Sequence, residues 1–103
     1  MAESSKLRKR RLDAAKLKGT HTDDEWQLMK EYFNNTCVRC AGASGLIKVG
    51  KDHIMPLYQG GSDSIKNIQP LCARCNSSKG SENIDHRINF CEAMGIDMPT
   101  GWL

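Results

Sequence analysis

The chain has 103 residues, 39% of them hydrophobic and six of them aromatic, enough for one small domain whose core is of the size that often needs a metal or disulfides. No apolar run approaches the roughly 20 residues of a membrane span and no signal-peptide pattern opens the chain, so a cytoplasmic protein is expected, with no membrane contact. The net charge of +3 is uneven: residues 1–20 hold seven basic side chains against Glu3 and Asp13, while the rest is slightly acidic. The chain reads as a near-neutral domain carrying a basic arm, which is either a solvated tail or a nucleic-acid contact.

In chain order, residues 4–18 place Leu7, Leu12, Ala14, Ala15 and Leu17 among good helix formers, predicting a helix with a thin apolar stripe that Gly19 ends. Thr22 followed by Glu25 is a capping-box pattern. The helix behind it carries Trp26, Met29 and Phe33 at core spacing, flanked by Leu28 and Tyr32, and stops at Asn34-Asn35. Leu46 to Val49 reads as a β-strand running towards Asp52-His53-Ile54, and Pro56 marks its end. Leu57 to Ser64, with Gly60-Gly61, is a loop, and Ile65 to Leu71 returns as a second short strand. Residues 76–79 look like the first turns of a helix. Asn83 or Asp85 then caps a last helix to about Met94, with Ile84, Ile88 and Cys91 on one face and Gly95 as its C-cap. His21 and His86 read as surface or capping residues, Cys91 as a core cysteine, and Trp102 as packed at a place the sequence does not give.

Two Cys-x-x-Cys pairs, Cys37/Cys40 and Cys72/Cys75, bracket the middle of the chain. Buried hydrophobes have no reason to fall in two such pairs, and a redox motif needs only one. In a reducing compartment four thiolates in two knuckles suit a tetrahedral structural Zn²⁺ with no open position for chemistry. The metal would close the enclosed segment into a stapled loop.

Inside that loop stand Asp52 and His53, and directly after it Asn76. Each alone has a bland reading: a turn aspartate, a strand-end histidine, a helix-capping asparagine. The staple changes this, because it holds the end of the first strand close to the helix after Cys75. Asp52 and Asn76 can then share a second, catalytic divalent metal through hard oxygens, with His53 beside it as a base. Neighbours in a regular strand face opposite sides, so the strand must end or bulge at this dyad.

The order Cys-x-x-Cys, Asp52-His53, a glycine-rich loop ending in Asn67, then Cys-x-x-Cys-Asn76-x-x-Lys79-Gly80 closely resembles the HNH endonucleases over residues 37–80. The resemblance implies an α+β chain: a small ββα-metal core stapled by the four-cysteine zinc site, with flanking helices. On that reading residues 1–20 are the basic, helical arm and residues 21–103 the nuclease domain. It further implies that His53 is the general base, Asp52 the first ligand of a catalytic Mg²⁺ or Mn²⁺, and Asn67 the residue that supports the loop and orients the histidine. Asn76 stands where many members carry a second histidine, giving an Asp-His…Asn…Asn variant. The implied reaction is hydrolysis of DNA phosphodiester bonds, leaving a 5′-phosphate and a 3′-hydroxyl. Lys6, Arg8, Lys9, Arg10 and Arg11 of the arm, with Arg74 and Lys79, are the expected phosphate contacts. A compact chain of this kind resembles phage and prophage nucleases that work beside the DNA-packaging terminase, and a fragment of a restriction system would look similar. The competing class is a zinc-stapled DNA-binding or assembly module without the chemistry. The Asp52-His53 dyad with both asparagines favours the enzyme, since binding alone requires none of them.

Overall fold

The computed structural model describes residues 5–80 and 82–103, without the side chains of Ser5, Leu7 and Arg8. Among these residues, helices flank one two-stranded sheet: α1 (Ser5–Leu17), α2 (Asp23–Tyr32), β1 (Gly50–His53), β2 (Ile68–Leu71), α3 (Ala73–Ser78) and α4 (His86–Met94). The sheet is antiparallel, pairing Gly50 with Leu71, Lys51 with Pro70, Asp52 with Gln69 and His53 with Ile68. This small α+β arrangement, two strands followed at once by a helix, is the ββα order of the expected fold. Among the described residues no helix is long and apolar enough to cross a membrane.

Helix α2 supplies one wall of the core. Its entry is the predicted capping box: the Thr22 hydroxyl accepts from the Glu25 amide (3.1 Å), and the Thr22 amide donates to the Glu25 carboxylate (2.9 Å). Met29 and Phe33 are fully buried, and Phe33 packs edge-on against Tyr32 and Phe90, with ring centroids 5.2 and 5.6 Å away. Trp102 closes the same cluster at 5.3 Å from Tyr32. Asn34 and Asn35 end the helix in the left-handed region, a conformation asparagine tolerates. The chain then enters the first cysteine knuckle, whose Val38 amide donates to the Pro70 carbonyl of β2. All four residues of β2 are buried between these layers.

Three expectations are corrected. The first strand begins at Gly50, and the apolar run before it is largely solvated, with Leu46 and Ile47 both exposed. The register explains this. Gly50 already pairs with Leu71, and the next residue, Cys72, caps α3, so Val49 has no strand to meet. The second strand is likewise shorter, because Ile65–Asn67 form a 3-10 turn started by Ser64, whose hydroxyl accepts from the Lys66 amide. Helix α3 starts at Ala73 rather than Asn76, which puts Cys75 and Asn76 on the helix itself.

Helix α4 has the predicted Asp85 and Gly95 caps, but its buried face holds Arg87 and Cys91, while Ile84 and Ile88 are exposed. Arg87 can be buried because its donors are answered. It grips Asp85 through two 2.9 Å bonds and donates to the carbonyls of Ile65, Lys66 and Trp102, tying α4 to the turn before β2 and to the last turn of the chain.

Helix α1 is attached by polar contacts rather than by a stripe. Only Ala15 of its described side chains is buried, and Leu17 is almost fully exposed. The Lys18 ammonium donates to the Gly60 carbonyl at 2.6 Å, the Ala15 carbonyl accepts from the Asp63 amide, and the Arg11 guanidinium lies 5.7 Å over the Tyr58 ring. The basic helix therefore rests on the loop between the two strands.

Candidate active site and metal centre

The two knuckles meet as expected. The sulfurs of Cys37, Cys40, Cys72 and Cys75 all lie within 4.8 Å of one another, with Cys40 and Cys72 at 3.9 Å. Ser44, which the sequence reading passed over, lies 3.5 Å from Cys40 Sγ and 3.3 Å from Cys72 Sγ. Its hydroxyl holds Cys40 down to about 6, whereas burial pushes Cys75 up to about 12. Four thiols this close cannot all ionise unaided, and a divalent cation taking four thiolates removes the conflict. The donor set thus fits a structural metal. Cys91 stands apart on α4, buried, its sulfur near the Asp97 carbonyl.

At the C-terminal end of α3 lies an open cleft of about 370 Å³, lined by Lys51, Asp52 and His53 from β1, Pro56, Leu57 and Tyr58 from the loop, and Asn76, Lys79 and Gly80. Strand β1 stops at His53, and the next amide, Ile54, donates to the Asn67 carbonyl. Ending the strand there is what lets both members of the dyad reach one cleft. Asp52 and His53 are thereby brought together with Asn76, which lies far along the chain beyond the second knuckle.

Asp52 is 5% exposed, and two donors hold it. Gln69, its register partner, donates from Nε2 to Oδ2 at 2.9 Å, and the Lys79 ammonium sits 2.9 Å from the same oxygen. Both converge on Oδ2. Asn76 lines the same cleft from α3, and a carboxylate with an amide is a hard-oxygen donor set of the kind a divalent cation takes. Lys79 corrects an expectation. It is buried, and its ammonium also donates to the carbonyls of His53, Ile54 and Glu82, so it braces the site from within instead of facing solvent for a phosphate.

Asn67 straps the loop: its Oδ1 accepts from the Met55 amide, and its Nδ2 donates to the carbonyls of Met55 and Ser62. Gly61 is required beneath it, since a Cβ there would lie 1.9 Å from the Met55 carbonyl oxygen. The contact to the His53 ring comes instead from Asp63, whose Oδ1 lies 2.9 Å from His53 Nε2. His21 is no surface residue either, for its ring, 6% exposed, meets the Asp63 carbonyl at 2.6 Å. Gln69 was findable from the strand pairing. Asp63 and His21 carry no local signal.

Of the expected phosphate contacts, Lys6, Lys9 and Arg10 are exposed on α1, and Arg74 is exposed on α3. Arg11 is drawn onto Tyr58 at the cleft rim. The side chain of Arg8 lies outside the described residues.

A family model described as HNH endonuclease matches residues 37–82, the segment that holds both knuckles and the cleft. A probable HNH endonuclease of Lactococcus phage SK1 is 33% identical over 81 residues, covering 69% of this chain and 85% of that protein. The chain belongs to the HNH endonuclease family. Another relative is an HNH endonuclease by name, derived from the SPbeta prophage of Bacillus subtilis (strain 168), 37% identical over 73 residues. That match covers 56% of this chain and 29% of the relative, so this HNH chain spans under a third of the Bacillus protein. No solved structure matches it.

Proposed function

We propose that this chain is a divalent-metal-dependent endonuclease that hydrolyses DNA phosphodiester bonds, with Zn²⁺ in the four-cysteine centre. The observation that carries the reading is that Asp52 and His53 of β1 and Asn76 of α3 line one open cleft, with the four-cysteine cluster anchoring the start of α3. His53 as a neutral imidazole takes the proton of an attacking water. Asp52 and Asn76 would hold the catalytic Mg²⁺ or Mn²⁺, which when bound supplies charge stabilisation for the phosphate and the leaving oxygen. Lys79 and Gln69 keep the Asp52 carboxylate in place, and Asn67 keeps the loop shaped around the histidine. The exposed Lys6, Lys9 and Arg10 of α1, with Arg74, would meet duplex phosphates. The phage and prophage relatives support a phage setting, in which a packaging terminase is the partner that the resemblance implies.

Supercoiled plasmid incubated with the zinc-loaded chain tests this. Nicked or linear product should appear with Mg²⁺ or Mn²⁺ and vanish with excess EDTA added just before the assay. DNA bound but uncut under every metal would instead support the non-catalytic module.

A further inference from the structure

Asp63 lies in the glycine-rich loop, ten residues after His53, where sequence alone offers only a turn residue. It is 7% exposed, and its carboxylate meets His53 Nε2 at 2.9 Å. An ionised carboxylate can only accept a hydrogen bond, so Nε2 must carry the ring proton and Nδ1 the lone pair. Asp63 is itself gripped from the N-terminal side. Its carbonyl accepts from His21 Nδ1–H at 2.6 Å, its amide donates to the Ala15 carbonyl at 3.4 Å, and His21 Nδ1 lies 3.8 Å from its Oδ1. His21 thus spends a buried ring on holding Asp63.

We propose that Asp63 is the positioning residue of the general base. It locks His53 in the Nε2–H tautomer so that Nδ1 takes the proton, and His21 with the end of α1 holds Asp63 at that distance. This rests on the nuclease reading of the cleft and adds the N-terminal segment to the machinery, as a part that sets turnover and not only affinity. Replacing a buried aspartate that faces a histidine by asparagine offers an amide N–H in place of an acceptor and favours the opposite tautomer.

The test uses the full-length zinc-loaded chain, with ¹⁵N shifts of the His53 ring read at a pH where the imidazole is neutral. The parent should show the Nε2–H form. Asp63→Asn should move population to the Nδ1–H form and lower kcat on plasmid on the order of 100-fold or more, with KM and Mn²⁺ binding unchanged. His21→Ala, which leaves the carboxylate in place, should shift both readouts in the same direction by less, and it serves if Asp63→Asn fails to fold. A parent that cuts DNA, with a folded variant keeping the same tautomer and the same kcat, would overturn this inference and leave the nuclease standing. A parent that cuts no DNA would overturn the nuclease reading, and the positioning role with it.

Discussion

Lys79 shows how burial decides a residue's work. Its side chain and that of Asp52 are 5% and 4% exposed, and each is tolerable there only because the other and several carbonyls answer it. Removing one partner of such a pair costs about 3–5 kcal/mol, since the remaining charge is left buried and uncompensated. Lys79→Ala should therefore lower the urea midpoint clearly, whereas a lysine that only touched phosphate would leave the melt unchanged and weaken DNA binding alone. Calorimetry separates the two residues of the dyad: His53→Ala should still bind Mn²⁺, and Asp52→Asn should not. That Asp52, His53 and Asn76 would meet in one cleft was legible, because type, order and spacing carry it. Gln69 follows once the strands are paired, but Asp63 and His21 were not legible, because each acts on a partner 10 or 42 residues away that only the fold brings near.

At the scale of elements, the strands and α1 depart most from what local pattern suggests. Leu46 to Val49 has strand-forming residues but no partner, since β2 gives way to a helix at Cys72; propensity without pairing makes no strand. The capping box of α2 and both caps of α4 were readable because they are set within three or four residues. Helix α1 was expected as an arm, and its docking on the loop came from carbonyl contacts that no periodicity announces. Two changes to it should differ. Replacing the exposed Lys6, Lys9 and Arg10 by alanine should flatten the dependence of affinity on salt, by about 0.9 in log–log slope per lost contact, and leave kcat alone. Removing residues 1–18 should flatten it further and lower kcat as well, because Ala15 and Lys18 leave the loop. Gly61→Ala tests the loop directly: with the Met55 oxygen 1.9 Å from the new Cβ, a loss of about 1–3 kcal/mol in the thermal or urea melt is expected.

The whole molecule is a thin core joined by the cysteine cluster. Among the described residues ten buried side chains make up that core, and four of them belong to the two knuckles: Cys37, Val38, Cys72 and Cys75. Metal binding in small zinc domains is worth on the order of 10 kcal/mol, more than so small a core can replace. Chelation of the metal proposed for the four cysteines, or Cys72→Ser, should unfold the β1–β2–α3 unit by circular dichroism and lose activity with it; an unchanged melt after complete metal removal would contradict the staple. The decisive measurement lies in the cleft. It is the rate of Mn²⁺-dependent plasmid cleavage by zinc-loaded His53→Ala beside the parent, both folded to the same melting temperature. Loss of a general base predicts a fall on the order of 100- to 10,000-fold with metal still bound. Cleavage at the parent rate would mean that His53 is not the base.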